Sequence, residues 1–221
     1  MSLLERTRVY ADSFSIEGFS PIYARIGVGP NAKANFAIPQ RSSCVIRRLL
    51  TRMYVLNRFE PKSLRTNSRL MWPVRAPDRI AVVELRAERL CFRMRNLAFF
   101  EEGLQLSTIV NAQVPWLAFE SPLITCLSGS GRVGIRIDGE PDCLAAAPTR
   151  PAPHVNMLRL AAWSGDTRLA VDVEPGYSNT VLVAPAAAVV RSSSLVIAGR
   201  DDGETVGATG LVQRIGRLIT P

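Results

Sequence analysis

Apolar and polar residues alternate with a period of two in three long stretches of the chain, which begin at Ala24, Ile80 and Arg168. In each stretch an alternating segment, a turn and a second alternating segment are followed by a break and a third apolar segment. Period-two alternation puts one face of a strand in a core and the other in water. Because two or three strands cannot bury an apolar face alone, we expect the three copies to pack into one body. The predicted turns lie at residues 29–31, 86–88 and 174–176.

The segments between these copies contain further predicted strands and one predicted loop. Apolar residues indicate strands at 13–16, 22–28 and 34–38. The segment 44–55 fits either a strand or one face of a helix, and its strand neighbours favour the strand. Residues 57–78 contain three prolines and five basic residues with little periodicity, which is typical of a long surface loop.

These patterns predict an all-β protein, either a β-sandwich or a double-stranded β-helix, built from internal strand–turn–strand repeats with long loop insertions. A lead at residues 1–12 precedes a single pseudo-symmetric β domain at 13–198, and a tail follows at 199–221. A Pro/Ala-rich insert at 145–153 separates the second copy from the third. The tail ends in a short apolar pattern with helical spacing, which predicts a short C-terminal helix.

The positive charge of the chain is concentrated in one region. Arginine accounts for 25 of the 27 basic residues, and the net charge is +8. Residues 41–95 contain fourteen basic and four acidic residues, so this region alone has a net charge of +10. A GC-rich genome would also favour arginine over lysine, but it does not explain the clustering. The planar guanidinium group suits bidentate contact with phosphate or carboxylate groups.

The basic cluster is the candidate contact surface, and its aromatic residues could stack on bases. Cations that neutralise phosphates, with aromatics beside them, are what a nucleic-acid surface needs. The same arginines could instead pair with acidic patches of a protein neighbour or form a solvated face, and their spacing matches no recognised RNA module. The candidate RNA- or partner-binding residues are Arg41, Arg47, Arg48, Arg52, Arg58, Lys62, Arg65, Arg69, Trp72, Arg75 and Arg79.

The four cysteines are far apart in sequence and include no C-x-x-C pair, so the spacing predicts neither a zinc site nor a redox motif. Cys91, Cys126 and Cys44 fall in apolar segments and are interpreted as buried free thiols. Such thiols fit a reducing compartment or the mitochondrial matrix better than secretion. The longest apolar run, 181–190, is too short to span a bilayer.

No catalytic motif stands out. Gly129, Gly131 and Gly134 match the G-x-G-x-x-G spacing, but a strand pattern follows instead of the required helix, so a hairpin turn is predicted. His154 is the sole histidine and is interpreted as an exposed loop residue. Glu101 and Glu102 are expected to form a turn between strands. The sequence therefore predicts a non-enzyme with no cofactor and no metal site.

Two segments resemble the mitochondrial biogenesis family named for altered inheritance of mitochondria. The step at residues 95–99, which reads RNLAF, and the glycine-containing segment at 128–133 are similar to that family's pattern, and the likeness extends more loosely over about 13–198. The resemblance implies an all-β double-stranded helix related to the fold of the tryptophan RNA-binding attenuation protein. It implies no catalytic residues, and it implies a role in inner-membrane organisation or in assembly of large complexes.

The leading hypothesis is a non-catalytic structural or assembly subunit of a large mitochondrial complex, in the matrix or on the matrix side of the inner membrane. The basic region makes a ribonucleoprotein such as the mitochondrial ribosome plausible, with protein subunits and RNA as partners. The alternative is a scaffold for respiratory or cristae-organising complexes, where the arginines meet acidic subunits or, by peripheral contact, anionic lipid.

Overall fold

A computed structural model describes most of the β domain. The described residues are 2–11, 13–17, 20–24, 32–37, 56–61, 69–74, 77–110, 123–146, 154–156, 159–173, 176–178, 181–183 and 186–199. The predicted strand at 44–55 and the predicted C-terminal helix lie outside them. Within them the chain is built from strands, which confirms the all-β prediction.

The described residues contain seventeen strands and two 3₁₀ turns. The 3₁₀ turns are Leu4–Arg6 and Met94–Asn96, and in the described part of the chain no helix has the length and apolar content needed to cross a membrane. The strands are β1 Thr7–Tyr10, β2 Ser13–Glu17, β3 Ile22–Ala24, β4 Ala32–Ala37, β5 Leu56–Pro61, β6 Arg69–Pro73, β7 Arg79–Phe92, β8 Leu97–Glu101, β9 Gln105–Val110, β10 Leu123–Ile137, β11 Pro141–Ala146, β12 His154–Asn156, β13 Leu160–Ser164, β14 Arg168–Val173, β15 Gly176–Ser178, β16 Val181–Val183 and β17 Ala186–Gly199.

Thirteen of these strands form one large, open antiparallel sheet, with the order β11-β17-β13-β7-β10-β8-β3-β5-β4 along its main path. Strands β1, β9, β12 and β14 join this path from the side, while β15–β16 and β2–β6 form separate two-stranded sheets. Because sequential strands are often not neighbours, the fold depends on contacts between distant parts of the chain.

Three long strands, β7, β10 and β17, organise the sheet, because each pairs with different partners along its two halves. Strand β10 pairs with β9 near its start and with β8 near its end, while β7 follows nearly its whole length. Strand β17 pairs with β12 and β14 first and with β11 and β13 later. Each long strand therefore joins two parts of the sheet.

The predicted turns at 86–88 and 129–131 are wrong, because both segments continue as strands. In the β7–β10 pair, Gly129 lies opposite Glu88 and Gly131 opposite Leu85, so two residues of β7 face one residue of β10. This is a β-bulge. Ala87 adopts a positive φ of 57°, and the backbone N–H of Ala87 donates to the Ser130 hydroxyl at 3.0 Å. The glycines also have positive φ values, 120° and 151°, so they absorb the irregularity without ending the strand.

The predicted surface loop at 57–78 is also wrong in its described parts, which contain β5 and β6. Strand β5 pairs with β3 and β4, and β6 pairs with β2. Phe59 and Leu70 are buried. The prolines that indicated a loop, Pro61 and Pro73, are the last residues of the two strands, where a missing N–H does the least harm to a ladder.

The small β2–β6 sheet packs on the main sheet through aromatic rings. Phe14 and Trp72 are cross-strand partners, and both rings stack on Phe99 of β8, with centroid distances of 5.5 and 4.4 Å. Gly134, which lies opposite Phe99 in the neighbouring strand, leaves the space that this ring fills, because a Cβ there would overlap it. Two other apolar clusters lie around Phe100 and around Trp163.

Candidate functional site

The structure describes four of the eleven candidate contact residues, namely Arg58 on β5, Arg69 and Trp72 on β6, and Arg79 at the start of β7. Arg69 lies opposite Glu17 in the β2–β6 register. The candidates that lie outside the described residues are Arg41, Arg47, Arg48, Arg52, Lys62, Arg65 and Arg75.

Arg58 is held by carboxylates of this chain. Its Nε and Nη2 donate to the two oxygens of Glu102 at 3.2 and 3.1 Å, and Nη1 forms an ion pair with Glu60. Tyr23 of β3 lies opposite Arg58 in the strand register. Its hydroxyl donates to Glu102 Oε1 at 3.4 Å, so it contacts the same carboxylate as Arg58. The backbone N–H of Glu102 donates to the Pro21 carbonyl at 2.9 Å, which fixes the turn. Two carboxylates thus surround one guanidinium group.

The surroundings keep this cluster in one charge state near neutral pH. The hydrogen bond to Glu102 raises the pKa of Arg58, so this side chain stays cationic. Burial, followed by the negative charge of Glu102, raises the pKa of Tyr23, so this hydroxyl stays protonated. The cluster carries more negative than positive charge, and Arg58 is not available as a free cation for a phosphate group.

Arg79 is held in a similar way. Its Nη2 forms an ion pair with Glu140 Oε1 at 2.8 Å, and its Nη1 donates to the backbone carbonyls of Pro77 and Asp78, both at 3.0 Å. The carboxylate of Asp78 forms an ion pair with Arg136 of β10 at 2.5 Å. Glu140 and Asp78 therefore form ion pairs with arginines that lie far from them in the sequence.

Trp72 does not have the exposure that base stacking needs. Its side chain is buried between Phe14 and Phe99, and the residue is 3% exposed. The interpretation of Trp72 as a stacking residue is therefore wrong for this conformation, and Phe59, also within the basic region, is buried as well. Their burial follows from pairing with strands that lie far away in the sequence.

A second group of ion pairs, which the sequence did not indicate, surrounds the bulge of β7 and β10. Arg6, which precedes β1, is almost completely buried and reaches Glu88 Oε1 at 2.5 Å and the Glu84 carbonyl at 2.8 Å. Glu101 accepts hydrogen bonds from the backbone N–H of Arg132 at 2.8 Å and from its Nε at 2.7 Å, and forms an ion pair with its Nη2 at 2.7 Å. Residues 101–104 form the expected turn between β8 and β9.

The glycine motif and His154, the other candidates for a chemical role, both lie in strands. The glycine motif lies within β10, with no helix after it. His154 begins β12, so its prediction as a loop residue is wrong. Among the described residues, no group of three or more His, Cys, Asp or Glu side chains is placed to hold a metal ion.

The surplus positive charge can be assigned to particular segments. The acidic residues of 41–95 all lie in its described residues, and each forms an ion pair with an arginine. These acidic residues are Glu60, Asp78, Glu84 and Glu88. The segments 41–55, 62–68 and 75–76 contain seven basic residues and no acidic one. In the sequence these segments precede β5, connect β5 to β6 and follow β6.

Comparison with known proteins gives a fold and no family. The chain matches no family model, and no curated protein matches it. Its fold is similar to that of the crystal structure of protein SPYM3_0169 from Streptococcus pyogenes, with a TM-score of 0.57 and 10% sequence identity. The similarity covers 96% of this chain and 100% of the streptococcal chain. At this identity it concerns the fold alone.

Proposed function

We propose that the protein is a non-catalytic structural or assembly subunit of a large mitochondrial complex, and that it binds RNA through the basic segments 41–55, 62–68 and 75–76. The mitochondrial part of this proposal comes from the resemblance to the mitochondrial biogenesis family. The RNA part rests on one observation, which is that these segments contain seven cations and no acid while neighbouring arginines are paired.

Arginines that are paired with carboxylates are poor candidates for contact with RNA. A guanidinium group that is paired with a carboxylate has to lose that contact before it can neutralise a phosphate. Arg58 and Arg79 are held in this way, so the proposed RNA contacts are Arg41, Arg47, Arg48, Arg52, Lys62, Arg65 and Arg75. Densely placed arginines without interspersed acids match the regular charge of a phosphate backbone better than the mixed charge of a protein surface.

Titration of a fluorescent single-stranded RNA with the purified chain at several salt concentrations tests the proposal. We expect an affinity that falls steeply with salt, and Arg47→Gln, Arg48→Gln and Arg52→Gln together should lower the magnitude of the slope of log affinity against log salt by roughly 2. The matched control changes the same number of paired arginines, Arg58, Arg79 and Arg86, and should alter the slope far less. Equal effects of the two triple variants, or no RNA binding at low salt, would contradict the proposal.

Size fractionation of a native lysate, with and without nuclease, tests the assembly role. We expect the chain to migrate with a large particle and to leave it after nuclease treatment. Migration that nuclease does not change would favour protein contacts. Flotation with vesicles that contain anionic lipid would favour the membrane-associated scaffold. A chain that remains monomeric in a mitochondrial lysate would contradict the assembly role itself.

A further inference from the structure

Cys91 and Cys126 lie directly opposite each other in the long β7–β10 pair, near one end of both strands. Their Sγ atoms are 2.6 Å apart, which is closer than ordinary contact between two thiols. Directly opposed antiparallel residues have Cα separations of about 4.5–5.5 Å, within the range of roughly 4.4–6.8 Å that a disulfide spans. No backbone movement is therefore needed to join them.

The surroundings separate this pair from water and from other thiols. Cys91 and Cys126 are 2% and 0% exposed, and they belong to an apolar cluster with Trp163, which lies opposite Cys91 on β13. Cys143, the other cysteine among the described residues, is half-buried on β11 and packs against a different cluster. It therefore offers a control within the same chain.

The electrostatic surroundings make the two thiols unequal. The hydrogen bond from Cys126 lowers the pKa of Cys91, and the positive charge of Arg89, two residues earlier on the same strand, acts in the same direction. The same hydrogen bond, together with burial, raises the pKa of Cys126. Cys91 is thus the sulfur that more readily becomes a thiolate, which is the form that attacks a disulfide.

We propose that Cys91 and Cys126 form a dithiol that small disulfide oxidants, such as oxidised glutathione, convert into a disulfide between β7 and β10. The Cys91 thiolate attacks one sulfur of the oxidant and releases one thiolate, which takes up a proton. Cys126 then loses its proton and attacks the Cys91 sulfur of the mixed disulfide, which releases the second thiol. Two protein thiols are oxidised, and the oxidant is reduced to two thiols.

Because both sulfurs are buried, the exchange requires local opening of the strand pair. Strand β9, which pairs with β10 beside Cys126, has no second partner among the described strands, so this side of the pair is the place where opening disturbs the fewest contacts. The thiol–disulfide exchange is then slower in the folded chain than at the exposed cysteine of a free peptide. Once formed, the disulfide closes a loop between residues 35 positions apart and reports the thiol–disulfide balance of the compartment.

Peptide mapping of the wild-type chain tests the proposal without relying on any variant. The reduced, folded protein is equilibrated in glutathione buffers of increasing oxidised fraction, blocked with N-ethylmaleimide in denaturant and digested with trypsin. Cleavage at arginines places Cys91 in the peptide 90–93 and Cys126 in 96–132, so a joined peptide identifies the disulfide. We expect this product to accumulate while Cys143 remains available to N-ethylmaleimide.

Two further measurements complete the test. Oxidised wild-type protein should unfold at a temperature higher than the reduced form by on the order of 5–10 °C, and Cys126→Ala should abolish that shift while Cys143→Ala retains it. Cys91 and Cys126 that both remain fully blocked by N-ethylmaleimide in the most oxidising buffer would overturn the proposal. Glutathione attached to either cysteine in place of the joined peptide would overturn it as well.

Discussion

The ion pairs around the bulge and those around β5 use the same residue types in different surroundings. Near the bulge the Arg6 side chain is 4% exposed and that of Glu101 is 12% exposed. Around β5 the side chains of Arg58 and Glu102 are 26% and 36% exposed. A buried charge that loses its partner cannot be solvated by water, so it depends strongly on that partner. A partly exposed charge can be solvated by water instead. We therefore expect the ion pairs near the bulge to stabilise the β7–β10 pair. The ion pairs near β5 should add little stability and chiefly hold Arg58 in place.

The comparison is tested most strongly at Glu88. We expect Glu88→Gln to lower the free energy of unfolding by about 2 kcal/mol, because it leaves the buried guanidinium group of Arg6 without its charged partner. Urea unfolding measures this. Glu84→Gln is the matched control on the same strand, because its partner Arg86 is 62% exposed, and we expect a change below about 0.5 kcal/mol. Equal losses in the two variants would contradict the comparison.

Acidification should remove the same contribution. Burial raises the pKa of Glu88, but the hydrogen bonds from Arg6 and from the Arg86 backbone outweigh it, so the pKa lies below the ordinary value of 4.5. A carboxylate with a lowered pKa stabilises the fold above its unfolded-state pKa, and this stabilisation is lost as the pH falls through its folded-state pKa. The difference between the wild type and Glu88→Gln should therefore be constant from neutral pH down to about pH 5 and shrink below it. A difference that grows on acidification would show that another group is responsible.

Glu101→Gln should have an intermediate effect. The carboxylate accepts two hydrogen bonds from Arg132 and forms an ion pair with its guanidinium group, and the neutral amide loses the ion pair and can accept from fewer of these donors. We expect a loss of about 1–2 kcal/mol in the free energy of unfolding. Arg132→Gln should give a similar loss, and the double variant should lose less than the sum of the two, which a double-mutant cycle measures.

Glu102→Gln should change stability less, by about 0.5–1 kcal/mol, because its charged partner Arg58 is partly exposed to water. The same substitution removes one of the two carboxylates that pair with Arg58. If the pair restrains this arginine, RNA affinity at low salt should rise modestly in Glu102→Gln. A stability loss as large as that of Glu88→Gln would contradict the comparison.

Ala87→Gly should give the smallest effect and one of opposite sign. Ala87 has a φ of 57°, and a Cβ makes this conformation unfavourable by about 1–2 kcal/mol, while glycine loses more backbone entropy on folding, about 0.5–1 kcal/mol. We expect a net stabilisation of about 0.5 kcal/mol in urea unfolding. A destabilised variant would indicate that the bulge tolerates alanine without strain.

Period-two alternation was sufficient to predict the fold class, and it placed strands such as β2 and β4 within a few residues. It failed at Ala87 and at Gly129, where a bulge and a turn produce the same interruption of the pattern. Only the partner strand distinguishes them, because continued pairing on both sides of the interruption defines a bulge. The strands β5 and β6 were missed because both contain basic residues and end in proline, which are features typical of a surface loop.

The candidate contact residues show the same dependence on distant parts of the chain. The local sequence around Trp72 is basic and resembles a nucleic-acid surface, but its cross-strand partner Phe14 lies 58 positions earlier. Arg58 is engaged by Glu102, 44 positions later. Sequence composition located the positive charge, whereas the identity of the paired arginines required the strand register.

The position of β7 in the chain has a consequence during protein synthesis. Its partner β1 has already been made when β7 leaves the ribosome, but β10 is complete only at residue 137, 45 residues after the end of β7. At ordinary elongation rates this interval lasts roughly 2–9 s. For that time an edge rich in buried valine and leucine has no partner in the nascent chain, and such edges pair readily with other chains. We therefore expect the new polypeptide to need a chaperone until the β7–β10 ladder closes.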